Sequence, residues 1–375
     1  MPLLFMLLAA DPSFPDPLLM RDGSRVTSAA DWHAKRAPEL RHLFQTHMYG
    51  ADPAVRFAPT AKLLHDNKAT GLQEWAVTLA AGAPPVQVLL SLPVGKPRGL
   101  FVGLNFSGNH TLTTDAGVAV SVAFTGKKYA DAPRGKFADI WPLKTIVDHG
   151  YAVATAHYGE IIPDDPTATG GLSTVLRPAG GDTGAVMAWG WAQRQIGAWA
   201  GTRPELKSVP RVAVGHSRLG KAALVAVAFD TEGVFAAAAP LQAGTGGPSP
   251  NRKSNPKAEP VKRIATAFPH WFAPKLTGYG DDPSTLPFDQ HELIALCAPR
   301  PVFLPNAEAD EWADPSGQLA MLKLAEPVYK LLGVGGLDEK DLAAGRLAYW
   351  VRPGKHFMGP DDWAATMTWA DRWVK

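Results

Sequence analysis

Residues 209–221 read VPRVAVGHSRLGK, and this stretch decides the fold. A short apolar run climbs to Gly215-His216-Ser217 and turns at once into a small-residue, helix-compatible segment over 220–230. A buried strand, a glycine-tight corner with a serine at its tip, and a helix behind it are the marks of a nucleophile elbow. Such a corner suits a nucleophile because Oγ stands clear of the sheet while backbone N–H groups of the helix start face the reacting carbonyl. The spacing is Gly-x-Ser-x-x-Gly, because Leu219 precedes Gly220, and not the commoner Gly-x-Ser-x-Gly. Taken alone, the stretch also fits an ordinary strand–turn–helix crossover with a solvent serine.

Working outward, nearly continuous apolar runs over 100–105, 151–157, 211–214, 234–240, 301–304 and 347–351 predict strands buried on both faces. Helical segments lie between several of them, notably 184–199 and 220–229. That alternation predicts a mostly parallel sheet with helices on both faces, a three-layer α/β sandwich. Before it, 73–79 and 86–92 alternate about the turn signal 82–85 and predict antiparallel strands. A helix is predicted over 29–48, with Trp32, Leu40, Leu43 and Phe44 on one face. The long Gly- and Pro-rich loops 158–178 and 244–277 leave the C-terminal ends of predicted strands, the edge where open α/β sheets bind ligands.

The 375 residues hold 46% apolar side chains and a formal charge of +2. This supports one large core, provides no basic footprint for nucleic acid, and leaves residues 11–375 as one catalytic domain. One cysteine, Cys297, excludes intrachain disulfides and thiolate metal clusters, and its apolar surroundings predict a buried, inert thiol. The first ten residues, MPLLFMLLAA, are too short to span a bilayer. They resemble the apolar core and cleavage region of a secretory signal without its basic start, so a secreted or periplasmic protein is expected.

A serine nucleophile needs a base, and the base an orienting acid, here in the order serine, acid, histidine. His356 is the last histidine and follows the last predicted strand. Asp310 follows the strand 301–304 and is the preferred acid, with Glu308 and Asp314 as competitors. The bland alternative makes this acidic loop a solvated turn. Arg218 and Lys221 fall in the first helical turn, where a cation opposes the macrodipole at about 0.3–1 kcal/mol. Either a developing oxyanion and sugar hydroxyls offset that cost, or a salt bridge does. His216 reads as structural, and His110, in the loop after strand 100–105, as a residue that shapes the loop.

Seven ordered segments resemble the glucuronoyl esterases, carbohydrate esterase family fifteen, in their bacterial branch. They are Gly215-His-Ser-Arg-Leu-Gly-Lys221, Leu104-Asn-Phe-Ser-Gly-Asn-His-Thr111, Phe268-Pro-His-Trp-Phe272, Asp289-Gln-His-Glu292, Ala298-Pro-Arg-Pro301, Asp310-Glu-Trp-Ala-Asp-Pro315 and Lys355-His356. The resemblance implies an α/β-hydrolase that cleaves esters between 4-O-methyl-glucuronic acid of glucuronoxylan and lignin alcohols. It implies Ser217 as nucleophile, His356 as base, Arg218 as oxyanion stabiliser, and Lys221, Trp312 and Glu259 as sugar-binding residues.

Two departures stand out. Some family members carry the acid in a Glu-Ser-Gly segment that here reads Gln242-Ala243-Gly244, so Asp310 is left to act alone and Gln242 becomes a polar pocket candidate. The arginine-rich stretch that follows is altered to Pro248-Ser-Pro-Asn-Arg252-Lys253. No cofactor or metal is implied, the expected partner is polysaccharide, and a monomer with no membrane attachment is expected. The rival readings are an acetyl-xylan or other sugar esterase on the same fold, and a catalytically silent carbohydrate-binding relative.

Overall fold

The computed structural model describes residues 13–54, 58–121, 132–167, 172–177, 181–252 and 255–375, so the apolar first decapeptide lies outside the described residues. Its centre is a sheet of nine strands: β1 (Thr60–Asn67), β2 (Leu72–Thr78), β3 (Val86–Ser91), β4 (Gly99–Asn105), β5 (Tyr151–His157), β6 (Arg211–His216), β7 (Ala237–Leu241), β8 (Val302–Ala307) and β9 (Leu347–Arg352). Their spatial order is β1-β2-β3-β5-β4-β6-β7-β8-β9. The first three join as antiparallel neighbours, β3 also meets β5 antiparallel, and from β5 to β9 every pairing is parallel.

Alternation along each strand divides the apolar side chains between two cores. Leu100, Val102, Leu104, Ala152, Ala154 and Ala213 face one, and Phe101, Tyr151, Val153, Val212 and Val214 face the other. The first core is covered by the helices Ala185–Ala200, Arg218–Ala228, Gln290–Ala295 and Pro315–Leu331. Leu143–Asp148 and Pro360–Trp373 cover the second. A strand with both faces covered has no polar face, which is why these runs read as continuously apolar. The predicted first helix is a helical run over 29–49 with two wider π-type turns, and it seals the first core with fully buried Trp32, Leu40 and Phe44.

Three differences from the expected strands have a clear physical cause. β1 escaped prediction because it is a solvent-facing edge strand, with its first five residues exposed, and so shows no apolar period. β7 starts at Ala237, not 234, because the Asp230 carboxylate takes the Phe235 N–H at 2.8 Å before pairing begins. β8 runs past Pro305 to Ala307, since its register with β9 continues through Pro305↔Trp350 and Ala307↔Arg352.

The corner between β6 and the helix Arg218–Ala228 is built on the absence of side chains. A Cβ on Gly215 would lie 2.2 Å from the Leu219 carbonyl oxygen, and one on Gly220 2.9 Å from that of Gly215. Both glycines are therefore required, and the extra residue between serine and second glycine places Gly220 where helix and corner touch. Gly215→Ala should destabilise the protein by about 2 kcal/mol or more, the cost of forcing a methyl into backbone. A urea midpoint within error of the parent would contradict this reading of the corner.

Candidate active site

Ser217 sits at the tip of this corner with φ 58° and ψ −127°, a left-handed conformation uncommon for a non-glycine residue. The strain is held in place: the Ser217 N–H donates to the Leu241 carbonyl at 2.9 Å, and its own carbonyl accepts from the Lys221 N–H at 3.0 Å. The first N–H groups of the helix, starting at Arg218, have no intrahelical acceptor and point at whatever occupies the corner.

Asp310 and His356 arrive from two neighbouring strands. The Glu308 N–H donates to the Arg352 carbonyl and the Ala309 N–H to that of Gly354, both at 2.9 Å, so the loops after β8 and β9 run side by side. Asp310, three residues beyond β8, is buried, and its Oδ2 lies 2.6 Å from His356 Nδ1. That contact leaves Nε2 of the imidazole for a hydroxyl. The competing carboxylates are accounted for otherwise. Asp314 caps the helix Pro315–Leu331 by accepting the Gly317 N–H at 3.1 Å, and Glu308 is exposed.

A cavity of about 240 Å³ collects Ser217, Arg218, Lys221, Glu259, Trp312 and His356. Lys221 is buried, and its ammonium donates to the carbonyls of Ala243 and Thr245, both at 2.6 Å, with Glu259 at 4.0 Å. Burial pushes its pKa down to about 8 against the pull of Glu259. Two of its three donors are spent, which leaves one for the cavity. Glu259 is tied to the acid loop, because its N–H donates to the Trp312 carbonyl at 3.0 Å. Trp312 itself is 50% exposed, an indole face presented at the mouth. Arg218 forms an ion pair with Asp164 at 2.7 Å, the salt-bridge offset foreseen for a first-turn cation, and also lines the cavity.

A family model described as glucuronyl esterase, fungi, matches residues 143–333. The carbohydrate esterase MZ0003, from an unknown prokaryotic organism, is 36% identical over 391 residues, covering 96% of this chain and 89% of that protein. The chain belongs to the glucuronoyl esterase family, carbohydrate esterase family 15. Among solved structures, a promiscuous esterase of this family from a marine bacterial metagenome superposes with a TM-score of 0.85 at 33% identity, covering 96% of this chain and 97% of that one. The glucuronoyl esterase from Solibacter usitatus gives a TM-score of 0.84 at 30% identity, with coverage of 96% and 97%. The α/β-hydrolase architecture is that of the family.

Within this glucuronoyl esterase frame, Gln242 departs from the pocket role expected of it. It reaches the cavity wall, but its amide is committed to the base loop: Oε1 accepts the Phe357 N–H at 2.9 Å and Nε2 donates to the Phe357 carbonyl at 2.8 Å. Gln242 has φ 47°, and its N–H donates to the Pro305 carbonyl at 3.0 Å. It thus splints the residue next to His356 instead of offering hydrogen bonds to a ligand. His216 supports the base from below, its ring 4.4 Å from that of His356. Burial, aided by the nearby His356, pushes the His216 pKa down to about 3, so it stays neutral and structural. His110 is buried in the loop after β4, consistent with shaping that loop.

The altered arginine stretch also turns inward. Arg252 donates to the Phe288 carbonyl at 2.6 Å and to those of Ser284 and Leu286, away from the cavity, while Lys253 lies outside the described residues. Cys297 is buried and its pKa is pushed up to about 12 by burial, which leaves the thiol inert. Among the described residues, no three His, Cys, Asp or Glu side chains are grouped to hold a metal.

Several residues of the site had no role assigned from sequence: Arg263, Phe268 and Trp271 line the cavity, and Asp164, Phe106 and Trp271 contact Arg218. Asp164 lies in the long loop after β5, but beside Asp165 nothing in the sequence distinguishes the two. The geometry singles out Asp310: Asp310→Asn should lower kcat for ester hydrolysis by roughly 10²–10⁴ through loss of imidazole orientation, whereas Glu308→Gln should stay within about twofold. Steady-state kinetics of the two variants check this, and the reverse ranking would move the acid to Glu308.

Proposed function

We propose that this protein hydrolyses the ester between the carboxyl of (4-O-methyl-)glucuronic acid in glucuronoxylan and lignin alcohols, through an acyl-enzyme on Ser217. The observation that carries the reading is one cavity in which a strained elbow serine and a carboxylate-oriented histidine meet a buried lysine–glutamate pair and an exposed tryptophan. The first pair supplies ester chemistry; the second supplies the donors, acceptor and apolar face that a sugar ring requires.

His356 takes the Ser217 proton as Oγ attacks the uronate carbonyl, and Asp310 stabilises the imidazolium that forms. The carbonyl oxygen becomes an oxyanion beside the first helical N–H groups and the Arg218 guanidinium. His356 then protonates the departing alcohol. Water, deprotonated by the same histidine, attacks the acyl-enzyme and releases free uronic acid. Lys221, Glu259 and Trp312 hold the sugar. A polymeric plant substrate calls for a secreted or periplasmic enzyme, and the apolar first decapeptide fits that placement.

Methyl or benzyl glucuronate esters should be cleaved with kcat/KM at least about 10²-fold above acetate esters, the order that a few hydrogen bonds to sugar hydroxyls provide, and Ser217→Ala should abolish turnover. Turnover of acetylated xylan with none of uronate esters would replace this reading with the acetyl-esterase one. Binding to glucuronoxylan without any turnover would favour a silent binding protein.

Lys221 adds a pH signature. It is charged below its pKa of about 8 and neutral above, so its hold on the sugar weakens as pH rises through that value. KM for the glucuronate ester should climb through pH 8 in the parent and be high and flat there in Lys221→Met. An unchanged inflection in the variant would assign it to another group.

A further inference from the structure

The Arg218 side chain is long and, left to itself, rotamer-rich, yet an oxyanion donor works only if it is in place before charge develops. The elbow fixes the Arg218 backbone and leaves its guanidinium to be held elsewhere. The holding group lies in the loop after β5. Asp164 Oδ2 accepts from Arg218 Nη1 at 2.7 Å and from the Tyr158 hydroxyl at 3.2 Å. Its other oxygen, Oδ1, accepts from Trp271 Nε1 at 2.6 Å and lies 2.8 Å from His270 Nε2. Two aromatic rings flank the guanidinium, with its carbon 5.4 Å from the Phe106 centroid and 5.0 Å from that of Trp271. Trp271 is in turn stacked on Phe268 at 3.9 Å.

Asp164 therefore takes one nitrogen of the guanidinium, and two rings lie against the group. Arg218 Nε is buried without a hydrogen-bond partner among the described residues. The charge on Asp164 is secure as well. Burial opposes it, but the hydrogen bonds from His270 and Trp271 and the charge of Arg218 outweigh burial and hold its pKa below the ordinary value.

We propose that Asp164 is a positioning residue: it anchors Arg218 by one guanidinium nitrogen, so that the group stands preorganised for the oxyanion formed at Ser217. The proposal rests on the oxyanion role of Arg218 given above. Asp164 is not among the residues that line the cavity, and it acts through Arg218. Its loss should thus appear in the transition state and not in ground-state binding.

The test is a double-mutant cycle on benzyl glucuronate hydrolysis. Asp164→Asn keeps the shape and removes the charge; it should lower kcat by about 10–100-fold, the range for a weakened oxyanion donor, with KM changed less than about threefold. In an Arg218→Ala background the same substitution should change kcat by less than about twofold, because the anchored group is gone. Equal losses in both backgrounds would overturn the anchoring role, as would an Asp164→Asn enzyme with parental kcat. An Arg218→Ala enzyme with parental kcat would instead refute the oxyanion reading itself. Should Asp164→Asn not fold, Trp271→Phe removes one donor to Asp164 while keeping a ring over Arg218. It should lower kcat several-fold in the parent and not in Arg218→Ala, and an equal loss in both would again overturn the proposal.

Discussion

The whole site depends on one close approach, that of the helix start to the C-terminal ends of β6 and β7. The carbonyl of Leu219 and the backbone of Gly215 come so near that no Cβ fits between them. The same contact forces Ser217 into a left-handed conformation and ties its N–H to β7. The strain at the serine is thus imposed by the packing of a helix on a sheet, and the two large apolar cores of the molecule are what sustain it.

That corner brings a second constraint, because the helix start attracts anions and this one carries two cations. Each is matched by its own acceptors: Asp164 for Arg218, and two backbone carbonyls with Glu259 for Lys221. All of these acceptors come from the long loops after β5 and β7. The loops are therefore charge complements of the elbow as much as walls of a cavity. The same logic governs the base: Asp310, Gln242 and His216 hold the His356 segment from three sides.

The catalytic order along the chain was legible because each member follows a strand that reads as an apolar run: β6 and β8 are buried in the sheet, and β9, although a half-buried edge strand, keeps the same apolar character. Ser217, Asp310 and His356 could be placed from that pattern and the chemistry of their residue types. β1 could not, since an edge strand facing solvent carries no period. Gln242 was placed correctly at the cavity but given the wrong task, because a side-chain amide chooses between ligand and backbone only once the loops have met. Asp164 was illegible for a related reason: it is one of two adjacent aspartates, and its four donors come from three segments far apart in sequence. What sequence withholds here is the pairing of polar groups across loops, which only tertiary structure decides.

β9 is the outermost strand on its side of the sheet. The nucleophile, the lysine and the glutamate all precede β8, whereas the base is brought in by the final strand, which pairs with β8 alone. The nucleophile is thus set near the middle of the sheet and the base at its margin, so the catalytic pair spans from a strand with two neighbours to a strand with one, and the alignment of the two rests on β7 and β8 in between.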